Sequence, residues 1–327
     1  MSRLILAVPS KGRLQEMANA YFADAGLAMS KAAGARGYRA AIAGMPEIDV
    51  MLLSAGEIAD ALLAGDAHMG ITGEDLIREA APHPESAVAL IKPLSFGYAD
   101  VVVAVPQAWI DVSTMADLDD VCAAFYQRHR RRLRIATKYV NLTRGFFAKA
   151  GIWDYRIVES GGATEGAPSS GIAEAIVDIT TTGATLAANN LKMLDDGTIL
   201  KSRAQLAASL SAKWTSEAAG AAKVLLARLA ARERAKAALV LRAGISGKAD
   251  AVLAAAARLG VTVLSRPGSA SGEYSLLCPR GKLTEAITLL RRRGASRVVT
   301  AQTVDYVFET DDPLVTEFEA SLAKSFR

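Results

Sequence analysis

The chain has 327 residues, 38 Lys and Arg against 34 Asp and Glu for a net charge of +4, and 51% hydrophobic residues. That length predicts two or three domains with substantial cores, and no apolar run approaches the ~18–20 residues of a membrane-spanning helix. Two distant cysteines, Cys122 and Cys278, and three scattered histidines argue against a disulfide framework or a zinc cluster, while the mild positive charge suits small polyanionic ligands and would also suit nucleic acid. Leu4–Val8 reads as a first strand, preceded by too few apolar residues for a secretory signal, so the cytoplasm is the expected location. Pro9-Ser-Lys-Gly-Arg-Leu14 leads into a helix in which Leu14, Met17, Ala18, Tyr21, Phe22 and Ala25 keep helical spacing, with Gly26 as its stop. Lys11 and Arg13 therefore lie beyond the C-terminal end of a strand, where open α/β sheets bind ligands. As cations they suit phosphate; as residues beside a helix start they read equally as surface charge.

Ala40–Ala43 and Asp49–Leu53 pair as strands, Ser54–Ala64 is a helix, and Met69–Thr72 is a strand that turns at Gly73-Glu-Asp-Leu76 into another helix. Val88–Ile91 and Val101–Val105 are strands, the second so rich in valine that it is expected to be buried and parallel. From 106 a second lobe is expected, with a helix over 112–127, strand Leu133–Ala136, helix Asn141–Ala150 and strand Tyr155–Glu159. The basic run Arg128–Arg134 sits at a helix end without interleaved aromatics, which argues for a solvated face and against nucleic acid.

The chain is organised around Val177–Leu186, VDITTTGATL. An apolar strand reaches its end at Asp178, hydroxyls follow at Thr180, Thr181 and Thr182, Gly183 permits a tight turn, and Ala184 and Thr185 open an alanine-rich helix. Hydroxyls and helix N-terminal amides converging on one point suit a phosphate, and an acid at the strand end suits sugar hydroxyls. Taken alone, an ordinary turn with capping threonines reads the same way. After Asn190 the chain is expected to return to the first lobe through 192–194 and 199–202. An alanine-rich helix over 217–236 then leads into a strand–helix–strand–strand–helix–strand order beginning at Ala238, the ferredoxin-like arrangement.

The run Glu159–Lys192, ESGGATEGAPSSGIAEAIVDITTTGATLAANNLK, resembles the phosphoribosyl pyrophosphate-binding segment of the ATP phosphoribosyltransferases, the first enzymes of histidine biosynthesis. KGRL at 11–14, GITGEDL at 70–76 and RIATKYVNLTRGFF at 134–147 resemble other segments of that family. The resemblance implies an α/β protein: a two-lobed, periplasmic-binding-protein-like catalytic core with a C-terminal ferredoxin-like, ACT-type βαββαβ domain, as in the family's long form. Lobe I is expected over 1–105 and 191–215, lobe II over 106–190, a helical linker over 216–236 and the regulatory domain over 237–327.

The implied reaction joins ATP and phosphoribosyl pyrophosphate into N1-(5-phosphoribosyl)-ATP and pyrophosphate. The resemblance assigns the 5-phosphate to Thr180, Thr181, Thr182, Gly183, Ala184 and Thr185, and the ribose hydroxyls to Asp178. Lys11, Arg13 and Arg36 are then candidates for the pyrophosphate and triphosphate, and Glu165 for a substrate hydroxyl or amine. Mg²⁺ is expected through substrate oxygens without direct protein ligands, histidine as an inhibitor, and a homo-oligomer between dimer and hexamer. No nucleic acid or membrane partner is implied. One departure stands out. Where many members carry Arg-Asp before the helix leading to the GITG strand, this chain has Leu53-Ser-Ala-Gly-Glu-Ile58, so Arg36 or Arg39 is expected to supply the missing charge. The alternatives are a catalytically dead regulatory paralogue and a cytoplasmic two-lobed ligand sensor, and pyrophosphate release separates the enzyme from both.

Overall fold

In the computed structural model, which describes residues 3–31, 38–246, 249–268, 272–292 and 295–325, two units are distinguished. The first contains Met1–Ala23, Leu27–Ala221 and Glu317–Arg327; the second contains Asp24–Gly26 and Ala222–Thr316. The chain runs β1 (Leu4–Pro9), α1 (Gly12–Asp24), β2 (Met29–Lys31), β3 (Arg39–Ile42), β4 (Ile48–Leu53), α2 (Ala55–Ala64), β5 (Met69–Gly73), α3 (Glu74–Ala80), β6 (Val88–Pro93) and β7 (Ala99–Pro106). It continues through α4 (Met115–His129), β8 (Leu133–Thr137), α5 (Val140–Lys149), β9 (Tyr155–Glu159), β10 (Ala175–Thr180), α6 (Ala184–Ala188), β11 (Leu191–Ser202) and β12 (Ala204–Ser209). The remainder is α7 (Ser216–Ala237), β13 (Ala238–Ile245), α8 (Ala249–Ala257), β14 (Thr262–Ser265), β15 (Gly272–Pro279), α9 (Leu283–Arg292), β16 (Ala295–Gln302) and α10 (Pro313–Ser325).

The first unit holds two sheets, ordered β2-β3-β4-β1-β5-β12-β6 and β11-β7-β10-β8-β9. Each anchors one lobe. By sheet membership the crossings lie between β6 and β7 and at Arg203, not at 105/106 and 190/191, because β7 and the whole of β11 pair in the second sheet. The expectation of a parallel valine strand is also corrected: β7 runs antiparallel to both β10 and β11. Its apolar run comes from burial on both faces. Val101, Val103 and Val105 pack with Leu118, Cys122 and Phe147, while Val102 and Ala104 pack with Leu186 and Leu191.

Two helix starts show how local chemistry sets the boundaries. Ser54 and Glu57 form a capping box at α2, with the Ser54 amide donating to Glu57 Oε2 at 2.7 Å and the Glu57 amide to Ser54 Oγ at 3.4 Å. Thr114 and Asp117 do the same for α4, which moves that helix start to Met115 from the expected 112. The basic run after α4 is largely paired. Arg131 and Arg134 both hold Glu174, and despite burial their hydrogen bonds bring its carboxyl down to about 2.

Beside the first sheet, His68 is buried. Its Nδ1 accepts from the Ile5 amide at 3.0 Å and its Nε2–H donates to the Lys213 carbonyl at 3.3 Å. The ring meets Trp214 edge-on at 4.9 Å, and Trp214 meets Phe318 of α10 at 5.3 Å. Burial holds the imidazole pKa below its ordinary 6.5, so the native state keeps it neutral while the unfolded chain takes up a proton below that value. Stability is therefore complete above about pH 6.5 and declines as pH falls beneath it. Melting temperatures measured from pH 7.5 to 5.5 are expected to show this fall. His68→Asn, which keeps an acceptor near Nδ1, should flatten it; an unchanged pH profile would remove His68 as the cause.

The second unit contains a four-stranded antiparallel sheet ordered β14-β15-β13-β16. Leu241, Ala243, Ile245, Leu276 and Cys278 pack against Val252 and Leu253 of α8 and Ala286 and Leu290 of α9. The order β13-α8-β14-β15-α9-β16 with this neighbour pattern is the ferredoxin-like fold. The unit's limits differ from the expected 237–327: it starts within α7, and Glu317–Arg327 belong to the first unit.

Candidate active site

β10 carries the organising stretch. It pairs with β8 at Ala175 and Ile176 and with β7 from Ile176 to Thr180, so its C-terminal end is held from the β7 side while the chain after Thr180 is free to turn. Gly183 then adopts φ 74°, the left-handed region where glycine carries no penalty. The Gly183 amide donates to Thr180 Oγ1 at 2.8 Å and the Ala184 amide to Thr182 Oγ1 at 3.4 Å. Thr181 Oγ1 donates to the Tyr98 carbonyl at 3.1 Å, tying the turn to the crossing segment. Thr180 and Thr181 thus make the shorter bonds of the turn and Thr182 the long one, while Thr181, Thr182 and Thr185 are exposed. Because α6 has only five residues, its macrodipole is small, and the turn offers mainly hydroxyl and amide donors.

Asp178 precedes the turn on β10. Its Oδ1 accepts from the Ile179 amide at 2.8 Å. Burial raises its pKa, and the Glu165 carboxylate adds to the rise, against the Ile179 amide and the Lys138 ammonium. Glu165, in a short 3-10 turn over Thr164–Gly166, therefore lies within electrostatic reach of Asp178.

Arg13, Leu14 and Met17 of α1, Gly73, Asp75 and Leu76, the segment Ser95–Ala99, and Ile179 and Thr181 line a cleft of about 590 Å³. It brings Arg13 from one lobe and Thr181 of the turn from the other to a common space. Lys11 does not line this cleft; it is exposed and lies within electrostatic reach of Glu57. Arg36 lies outside the described residues. Thr182, Gly183, Ala184 and Thr185 stand beyond the lining of the cleft.

A neighbouring cavity of about 400 Å³ is lined by Tyr98, Ala99, Asp100, Thr180, Thr181, Lys201, Ser202 and Arg203. Thr180, Asp100 and Lys201 are register partners across β10, β7 and β11, so they form one row on one face of the sheet. Lys201 and Arg203 are cations that the sequence reading missed. Their signal was weak, since a Lys-Ser-Arg triplet on a return strand looks like surface charge until the strand is seen to close the cleft. Within Leu53–Ile58, the stretch where the resemblance expected an Arg-Asp pair, Ser54 and Glu57 are engaged in capping α2.

Asp75 was also missed as a site residue. It is buried at the start of α3, where Oδ1 accepts from Ser202 Oγ at 2.7 Å and Oδ2 from Tyr139 Oη at 2.8 Å. Burial, then the Asp75 carboxylate, push the Tyr139 phenol above its ordinary pKa, so this hydroxyl stays protonated and donates. Among the described residues, no group of three or more His, Cys, Asp or Glu could hold a metal ion, and no helix is long and apolar enough to cross a membrane.

The chain matches known proteins over most of its length. The family model HisG: ATP phosphoribosyltransferase matches residues 54–231. The chain is 54% identical over 319 residues to an ATP phosphoribosyltransferase of Rhodopseudomonas palustris, covering 97% of this chain and 98% of that protein. It is 54% identical over 322 residues to one of Bradyrhizobium diazoefficiens, covering 98% of each, and 55% identical over 320 residues to one of Afipia carboxidovorans, covering 97% and 98%. With a family model matching more than half of its residues and relatives 54% identical over nearly its full length, the chain belongs to the ATP phosphoribosyltransferase family.

Proposed function

We propose that the cleft binds ATP and phosphoribosyl pyrophosphate together and transfers the phosphoribosyl group to adenine N1. Family membership makes the chain a transferase of histidine biosynthesis. The observation that carries the site reading is the placement of Arg13 and Thr181, from different lobes, around one cleft. In the reaction the N1 lone pair attacks ribose C1, the N1–C1 bond forms, and the C1–O bond to pyrophosphate breaks. N1 is unprotonated at neutral pH, so the protein's task is to position two polyanions and to stabilise the leaving group, not to remove a proton.

Thr182 and Thr185 hydroxyls, with the amides of the turn, hold the 5-phosphate. Asp178 accepts from ribose hydroxyls through the oxygen not engaged by Ile179. Arg13 takes phosphate charge from the first lobe, and Lys201 and Arg203 compensate for the missing family arginine from the return strand. Lys11 remains a candidate through side-chain reach, and Glu165 a candidate for a substrate hydroxyl. Mg²⁺ fits as an ion carried by substrate oxygens, since the acids here are spread singly; when bound it neutralises charge on departing pyrophosphate.

Among its described residues the ferredoxin-like unit has no counterpart of the threonine turn. We assign it regulation: histidine binds there, in a homo-oligomer, and favours a less active arrangement. By linkage, histidine must bind that arrangement more tightly than the active one. The experiment is synthesis by the full-length protein with and without histidine. Suppression at millimolar histidine is expected, and undiminished synthesis would overturn the regulatory reading.

A further inference from the structure

We propose that Glu79 is a positioning residue that, with Asp75 one turn earlier on α3, clamps the two lobes of the catalytic unit in their substrate-receiving arrangement. α3 follows β5 in the first sheet, whereas α5 follows β8 in the second. Glu79 spans this division. Its Oε1 accepts from the Asn141 amide at 2.9 Å and its Oε2 from the Leu142 amide at 3.0 Å. Its backbone carbonyl accepts from Asn141 Nδ2 at 2.8 Å.

These amides open α5, a helix whose own N-cap residue, Tyr139, supplies no side-chain cap. The first amides of a helix need outside acceptors, and a carboxylate there is favoured by the helix dipole. In α5 that acceptor comes from the other lobe. Asp75 and Glu79 are four residues apart, so they share one face of α3. Asp75 accepts from the fully buried Tyr139 hydroxyl and from Ser202 at the end of β11. Spreading the lobes would strip α5 of its cap and break a buried hydrogen bond at the same time.

The clamp sits where it sets the reaction geometry. β8, directly before α5, pairs with β10, which ends in the threonine turn. β5, directly before α3, pairs with β1, which ends before Lys11 and Arg13. Fixing α3 against α5 therefore fixes the spacing between the turn and the facing cation. A protein that must first close would bind its ligands more weakly by the fraction of time it spends closed; the clamp removes that loss. This inference rests on reading the cleft as the substrate site.

The test is a distance measurement between spin labels at Asp60→Cys on α2 and Asp120→Cys on α4, both exposed positions, in protein whose Cys122 and Cys278 are buried. With Glu79 intact, one narrow distribution should persist unchanged when phosphoribosyl pyrophosphate is added. Glu79→Ala should broaden and lengthen it, and the ligand should restore it. Glu79→Gln, which keeps one acceptor, should lie between. In steady-state assays Glu79→Ala should raise KM for both substrates by a common factor, on the order of tenfold, with kcat within about twofold. A distance that shortens with ligand while Glu79 is intact would overturn the clamp. So would Glu79→Ala lowering the melting temperature or kcat with distances and KM unmoved. Broadening without any response to ligand would uphold the clamp and overturn the assignment of the cleft.

Discussion

Replacing Thr182 or Thr185 with Val is expected to weaken phosphoribosyl pyrophosphate binding by about 10- to 150-fold each, the equivalent of ~1.5–3 kcal/mol for one hydrogen bond to a charged group. Valine preserves size and removes the hydroxyl. Both residues are exposed, and the one turn contact among them, from the Ala184 amide to Thr182 Oγ1, is long at 3.4 Å, so the melting temperature should stay within a degree or two of the parent's. Thr180→Val behaves differently, because Thr180 Oγ1 accepts from the Gly183 amide; it should distort the turn and affect folding as well as binding. Calorimetric titration of the variants checks this division. Parent-like affinity in both Thr182→Val and Thr185→Val would take these hydroxyls out of the site.

The second large effect is on stability. Phe318→Ala should destabilise the first unit by ~3–5 kcal/mol, the usual cost of emptying a buried aromatic site, and lower its melting temperature on the order of 10 °C. Phe318 is fully buried and packs edge-on against Trp214, which in turn contacts His68. Thermal melts of Phe318→Ala and Phe318→Leu should show the first far below the second; equal, small shifts would mean the helix contributes little. The consequence for regulation is direct. A truncation from about Lys236 onward removes Phe318 along with the ferredoxin-like unit, so loss of activity in it would report a damaged catalytic unit. Histidine sensitivity has to be measured on the full chain.

Much of this fold was legible in the sequence, and the exceptions have physical causes. Ala204–Ser209 passed unrecognised as a strand because alanine and glutamine carry little strand preference; its burial between β5 and β6 comes from tertiary pairing alone. The lobe boundary was misplaced at 105/106 because a valine run shows that a strand is buried, not which sheet it joins. Pro313–Ser325 gives no local sign of which core its buried face enters, so the last helix was assigned with its sequence neighbours. The threonine turn was legible because its chemistry is contiguous, running from Asp178 to Thr185. Asp75 reaches the cleft from α3, Lys201 and Arg203 reach the neighbouring cavity from the end of β11, and no spacing rule connects them to the turn.

The central claim is that this cleft performs the transfer, and the most direct measurement mixes the full-length protein with ATP, phosphoribosyl pyrophosphate and Mg²⁺ and follows both products. Equal amounts of pyrophosphate and N1-(5-phosphoribosyl)-ATP should appear, and Thr182→Val and Arg13→Ala should each slow their appearance at subsaturating substrate. Binding of both substrates with no pyrophosphate released would contradict the account and mark the chain as a protein that recognises these ligands without joining them.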